Sequence, residues 1–430
     1  MRSRKWALAA LAAVVLLAGG AGVAWWAAHR LTGDVHRGNA LPFTFTAETT
    51  STSNGGTKQH RATDFGPAWP VYGRTMARTR DAADLGSIRP PYHVAWRDAT
   101  GFLEYPPSYR DGVLYLTSNS GFATAREAKS GHILWSRRIG VAVLGEPGAV
   151  TGEPAVVGTR MYLGARDHEI YALGIRTGHV VWKHRLPSEM ESSPAYGDGR
   201  LYMSDLAGHV RALDLKTGRL LWTFTTSGPV KHGPALAGGR LYFGDYDGVM
   251  YCIDAATGRL VWRTATHGLA SGFAAGQFYS TPAVAYGRVY VGSTDHKVYA
   301  FQAGDGQIAW TYTLPYWAYG SPAVWNGRVY ATSYDGTFVS LSARTGRVLW
   351  RRHLPFHTTS SPTVIGPLVY VADLGPARSH GHLYAYNPVS GRLVWRFNDG
   401  KYSTVIAGEG RLIIAGMSHL YALRPRHAPS

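Results

Sequence analysis

The chain has 430 residues, 45% of them hydrophobic and 17% charged, with a formal net charge of +17 and one cysteine. That composition excludes a disordered chain, and a single thiol excludes a disulfide-stapled scaffold. The basic excess is spread along the sequence and no nucleic-acid-binding motif accompanies it, so nucleic acid is not an expected partner.

Met1-Arg-Ser-Arg-Lys5 precedes an uncharged run from Trp6 to Ala28, which His29 and Arg30 end. At about 1.5 Å per residue such a run crosses a hydrocarbon core of roughly 30 Å. A cleaved secretion signal has a shorter apolar centre, about 7–15 residues, and a small-residue cleavage site. Trp25 and Trp26 stand at the far end, where an interfacial aromatic belt lies. Residues 1–30 are therefore expected to form a transmembrane anchor, its basic start in the cytoplasm and the remainder outside. A cleaved signal is the alternative; with no cysteine nearby, a lipoprotein anchor is not expected. Residues 31–64 are Ser/Thr-rich without periodicity and read as a flexible linker. Phe43 and Phe45 leave open an extended arm lying on the next domain.

From residue 65 to 425 a repeat governs the chain. Trp135, Trp182, Trp222, Trp262, Trp310, Trp350 and Trp395 each follow a Gly by four residues. Ten residues before these Trp lie small side chains: Ala125, Ala172, Ala212, Cys252, Ala300, Ser340 and Ala385. A period of roughly 40 residues marks a repeat architecture. Within each copy, Gly/Asp punctuation separates short runs of Val, Leu, Tyr and Phe, which reads as four antiparallel strands joined by hairpins. Such sheets arranged in a ring form an all-β propeller. Cys252 fills a small-residue slot and is expected to be buried.

The last repeat, Val405 to Leu423, has Ala422 in the small slot but stops before any Gly-x-x-x-Trp. The missing strand appears upstream as Tyr92-His-Val-Ala-Trp96. Pairing the two closes a ring of eight blades and removes the exposed sheet edges of an open array.

A Pro opens most innermost strands, and aligning these prolines exposes the residues that converge on one channel mouth. Three positions earlier lie Glu104, Thr151, Glu191, Lys231, Tyr279, Tyr319, Thr359 and Tyr402, with Glu153 and His232 adjacent. Trp317 is carried towards this rim by Pro315-Tyr-Trp-Ala-Tyr319. Charged and aromatic groups at a concave mouth make it the expected ligand site. Asp167, Asp247, Asp295 and Asp335 recur at one hairpin position and read as turn residues rather than a metal cluster.

The small-residue strand followed by Thr-Gly-(basic)-hydrophobic-hydrophobic-Trp resembles the quinoprotein-type (PQQ-like) propeller repeat over residues 65–425. The leader Trp69-Pro-Val-Tyr-Gly-Arg-Thr-Met-Ala-Arg-Thr-Arg80 is similar to the Trp…Tyr-Gly…Arg segment that precedes the first blade in that superfamily. The resemblance implies either of two roles. Propellers of the BamB-like branch recruit partner proteins in outer-membrane assembly; quinoprotein dehydrogenases bind pyrroloquinoline quinone and Ca²⁺ at the mouth and oxidise an alcohol or sugar. Many such dehydrogenases hold the quinone against a disulfide of adjacent cysteines and use a Glu, Asn and Asp trio. Here there is one Cys, and the rim has Glu104, Glu153 and Glu191 but no Asn or Asp. The expectation is a non-catalytic, membrane-anchored scaffold that binds envelope proteins without a cofactor. A PQQ/Ca²⁺ dehydrogenase and a glycan-binding propeller are the alternatives. The spread-out basic charge further suggests adhesion to anionic lipid or wall polymer.

Overall fold

A computed structural model describes residues 35–37, 68–100, 103, 105–139, 152–266, 276–376, 381–400, 405–416 and 419–426. The proposed anchor, and nearly all of the linker, lie outside these residues. Eight sheets each contain four antiparallel blade strands, consecutive in seven of them and, in the eighth, three C-terminal strands joined by Tyr92–Ala99. Blade 3 illustrates the pattern, with strands Ala195–Gly197, Arg200–Ser204, His209–Asp214 and Leu220–Thr225 running from the channel outwards.

The spacing of Gly, Trp and small residue has a packing cause. Within a blade, the small residue stands directly opposite the Trp, as in Ala212↔Trp222, Cys252↔Trp262 and Ser340↔Trp350, and a bulge follows it. Between blades, the Trp lies against the turn glycine of the next blade. A Cβ on Gly306, where φ is +76°, would come within 2.5 Å of the Trp262 ring, so both the backbone conformation and the close approach require glycine there. The indole Nε1 then donates to a backbone carbonyl of that same turn: Trp135 to Ile175 at 2.7 Å, Trp262 to Ala303 at 3.0 Å, Trp350 to Pro388 at 2.9 Å. The Trp is thus the inter-blade joint, with its polar edge satisfied. Cys252 is fully buried in this layer.

Ring closure follows the expected pairing, over a longer strand than expected. Tyr92–Ala99 pairs antiparallel with His419–Pro425, and Trp96 stands opposite Ala422. Blade 8 therefore has no covalent outer hairpin, and Trp395 of blade 7 meets no turn glycine. Tyr92 replaces it, edge-on to Trp395 at 5.0 Å, with its hydroxyl 2.7 Å from that of Tyr370.

The leader takes a route that no periodicity reveals: it threads the central channel. Trp69 exchanges backbone hydrogen bonds with Tyr109 of blade 1, and the carbonyl of Pro70 accepts from Val156 of blade 2. The carbonyls of Met76, Ala77, Thr79 and Arg80 then accept in turn from Leu236, Val284, Val324 and Val364 of blades 4 to 7, at 2.8–3.0 Å. One segment, turning as it goes (the Arg74 amide donates to Val71 and the Arg78 amide to Thr75), satisfies the inward edges of innermost strands, which would otherwise be left unpaired. Asp81–Ala82 completes it as a short parallel strand beside Thr363–Ile365. On the outside of the ring, Val35–Arg37 pairs antiparallel with Trp262–Thr264 of blade 4.

Candidate functional site at the channel mouth

Because the leader bonds to the innermost strands, it supplies the floor of the mouth, which is cup-like in outline. Its floor starts with the residues just before the innermost strands. Ser193 Oγ accepts from the Glu153 amide at 3.0 Å, Ser321 Oγ from Thr281 at 2.9 Å, and Ser361 Oγ from Ser321 at 2.9 Å. Tyr72 of the leader brings its hydroxyl 3.2 Å from Ser321 Oγ and 3.3 Å from Ser361 Oγ. Gly233 takes the same position in blade 4, where a Cβ would lie 1.9 Å from the Ser193 carbonyl oxygen.

Two leader arginines, both buried, complete this floor. Arg78 donates to the carbonyls of Tyr72, Pro194 (2.8 Å), Ser193 (3.3 Å) and Pro234 (3.3 Å), joining the leader to blades 3 and 4. The Arg80 guanidinium lies 4.0 Å from the centre of the Tyr72 ring, a cation–π contact. Glu153 is fully buried and accepts from Ser108 Oγ at 3.1 Å. Burial pushes its carboxyl well above the usual range, and the neighbouring Arg80, Ser108 and Arg78 only partly offset that. Burial likewise brings Arg78 down to about 10, against the pull of Glu153. Glu153 therefore belongs to the floor, not to an acidic rim.

Above the floor, blades 2 to 6 and the link into blade 7 carry the charged and aromatic side chains. Lys231 Nζ lies 2.9 Å from Glu191 Oε2, donates to the Tyr279 hydroxyl, and sits 4.5 Å from the Tyr279 ring centre. Desolvation would lower the Lys231 pKa, but Glu191 and Tyr279 outweigh it and keep the ammonium charged. Arg166 Nε, 2.9 Å from Glu189, lies 3.9 Å from Glu191. From Tyr279 the aromatics continue around the rim. Tyr246 stacks on it at 5.6 Å and Tyr319 meets it edge-on at 5.0 Å. Trp317 then touches Tyr319 at 5.7 Å and Tyr334 at 5.9 Å, and His357 stacks on Tyr334 at 4.8 Å. His232 lies under this group, 5.5 Å from Tyr279.

The structure thus brings together Glu191, Lys231, His232, Tyr279, Trp317 and Tyr319 and sets Glu153 beneath them; Glu104 and Tyr402 lie outside the described residues. The sequence reading missed Tyr72, Arg78 and Arg80. They lie in the leader, where nothing in the sequence shows that the segment enters the channel. The reading also missed Tyr246 and Tyr334, which stand in the hairpins between second and third strands, away from the aligned proline column. Those hairpins' aspartates serve the turns: Asp167 accepts from the Glu169 amide and the Tyr171 hydroxyl, and Asp335 from Thr337.

Among the described residues, the donor set does not fit a Ca²⁺-supported quinone. Such an ion takes about 6–8 oxygen ligands. Among the described carboxylates, Glu153 is enclosed in the floor with two arginines, Glu191 is ion-paired with Lys231 and Glu189 with Arg166. Among the described residues, no group of three or more His, Cys, Asp or Glu is placed to hold a metal.

One pH effect follows from the cup. Burial, with Lys231 and Arg80 nearby, lowers the His232 pKa to about 3. Unfolded, the imidazole titrates near about 6.5, so between these values the unfolded chain binds the extra proton. Folding stability is therefore lost as pH falls from about 6.5 towards 3. The His232→Gln variant is expected to flatten this acid limb in thermal melts between pH 7 and 4; an unchanged slope would show that other groups set it.

Comparison with known proteins agrees with this fold. A family model described as outer membrane protein assembly factor BamB matches residues 141–230, 206–316 and 315–426. BamB of Escherichia coli K12 is 26% identical over 110 residues, 24% of this chain and 28% of that protein. The quinohemoprotein alcohol dehydrogenase ADH IIB of Pseudomonas putida is 31% identical over 140 residues, 29% of this chain and 20% of the enzyme. The matched stretches thus span less than a third of either relative. The crystal structure of BamB from Moraxella catarrhalis superposes with a TM-score of 0.65 at 20% identity, covering 77% of this chain and 99% of that one. Quinohemoprotein alcohol dehydrogenase from Comamonas testosteroni gives a TM-score of 0.70 at 13% identity, covering 85% and 82%. At such identities the two structures share the fold, and a shared fold does not carry a shared site.

Proposed function

The chain belongs to the PQQ-repeat propeller family described as outer membrane protein assembly factor BamB, and from that premise we propose that it is a non-catalytic protein-binding scaffold of the cell envelope. The observation that carries this reading is the mouth, where Trp317, Tyr316, Tyr319 and Tyr334 adjoin Lys231, Glu191 and Arg166. Aromatic anchors beside charged groups are the composition of an interface hot spot. The charged groups engage one another, as expected of a recognition surface, and none is set up as a nucleophile with an adjacent base. The uncharged run from Trp6 to Ala28 supports an N-terminal membrane anchor with the propeller extracytoplasmic.

A photo-crosslinking residue placed at Tyr316, which is 38% exposed, tests this in intact membranes. One discrete crosslinked partner is expected, reduced at least tenfold by Lys231→Glu and by Trp317→Ala. Crosslinking that is diffuse, or indifferent to both substitutions, would sink the proposal. The 31% identity to a quinohemoprotein alcohol dehydrogenase supports a second reading, an oxidoreductase. Added pyrroloquinoline quinone and Ca²⁺ are expected to produce no alcohol-dependent dye reduction; turnover would favour the second reading.

A further inference from the structure

A cavity lies at the seam where the ring closes. It is a groove of about 510 Å³ between blades 7 and 8, lined by Val94, Trp96, Arg97, Phe397, Asn398, Asp399 and Tyr421. That volume falls in the range of small-ligand sites. Phe397 and Tyr421 stand nearly perpendicular, their ring centres 5.2 Å apart at 78°. Trp96 has one face against Gly131 and its Nε1 bonded at 2.9 Å to the Ala128 carbonyl, both in blade 1. Its remaining surface joins the groove wall.

At the junction of blades 3 and 4 the equivalent pair, Phe224 and Tyr251, has the same edge-on geometry at 5.7 Å, but Tyr251 is buried, 1% exposed. In blade 8 the corresponding Tyr421 is only half-buried. Its hydroxyl donates at 2.6 Å to Asp399, which comes from the end of blade 7 rather than from a turn of its own blade. In blade 4, Tyr251 instead donates to Asp245 of its own hairpin.

We propose that this groove binds a saccharide unit bearing an acidic group. Aromatic faces at an angle to one another suit the apolar C–H faces of a sugar ring. Asn398 and the exposed Arg97 supply planar polar groups for hydroxyls and for a carboxylate or phosphate. Arg97 is the group that an anion would meet. Asp399 already accepts from Tyr421 and from the Gly400 amide, Asp98 is paired with Arg126, and Arg97 forms no ion pair among the described residues. An acidic glycan of the envelope would then hold the ring by its closing strand.

The full chain titrated with oligogalacturonate, followed by tryptophan fluorescence and calorimetry, tests the assignment. Binding is expected, weakened at least tenfold in Phe397→Ala and in Arg97→Gln and unchanged in Lys231→Glu. Arg97 is exposed, so Arg97→Gln is expected to melt like the parent and to report binding alone. A neutral maltooligosaccharide is expected to bind at least tenfold more weakly. Absence of oligogalacturonate binding, or retention of it in both groove variants, overturns the site. Equal affinity for the neutral oligosaccharide overturns the acidic assignment, and loss in Lys231→Glu returns the glycan to the mouth.

Discussion

Arg78→Met is expected to lower the free energy of unfolding by roughly 3–5 kcal/mol, the cost of removing one partner from a buried charged network. The guanidinium is 1% exposed and donates to carbonyls of the leader, blade 3 and blade 4. Methionine fills the volume but leaves those oxygens buried without their donor, each a desolvation penalty of about 1–3 kcal/mol. It also leaves Glu153 with one neighbouring arginine instead of two. Arg78→Lys keeps the charge but not the planar fork, so an intermediate loss is expected. Arg110→Ala, which breaks an exposed pair with Asp111, is expected to cost under about 1 kcal/mol. Urea denaturation of the three variants checks the order. If Arg78→Met unfolds at the parent's midpoint, the leader is not what ties the inner strands together.

The blades were legible in sequence because their joints are steric. A Trp that must lie against a glycine of the next blade, and opposite a small residue in its own, repeats at fixed spacing whatever the intervening residues are. The same constraint led to Trp96 as the missing outer strand, since only Ala422 lacked a Trp opposite it. The leader was not legible in this way. The carbonyls of Pro70, Met76, Ala77, Thr79 and Arg80 each meet a different blade, so the segment has no strand alternation. The rim was legible in part, because the proline column aligns residues by height in the channel. Glu191, three residues before its Pro, reaches the rim, whereas Glu153, directly before Pro154, points into the floor. Both are glutamates in adjacent blades, and two positions of height separate a partner for Lys231 from a carboxyl enclosed with Arg78 and Arg80. The seam groove left no trace in the sequence, since it arises from a missing hairpin rather than from a residue present.

Trp96→Ala is expected to open the ring, and a covalent staple across the closing strands is expected to restore it. The indole loss removes a packed aromatic worth about 3–5 kcal/mol together with its hydrogen bond to Ala128. The effect exceeds that of the same change in another blade, because elsewhere the outer strand stays tethered through its hairpin while this one is held by pairing alone. Once released, it exposes the edge of His419–Pro425 to other chains, so aggregation on heating is expected as well. Ala99 and His419 stand directly opposite one another across this pair, which makes them the place for a paired cysteine substitution. A disulfide there closes a loop of roughly 320 residues, for which the chain-entropy relation gives an upper figure of about 5–6 kcal/mol. Oxidation of the Ala99→Cys/His419→Cys variant should therefore raise the melting temperature and offset Trp96→Ala, with reduction reversing both effects. A disulfide that fails to form under oxidant would place the closing strand in another register. One that forms without rescuing Trp96→Ala would mean that stability resides in the individual blades and not in the closed circle.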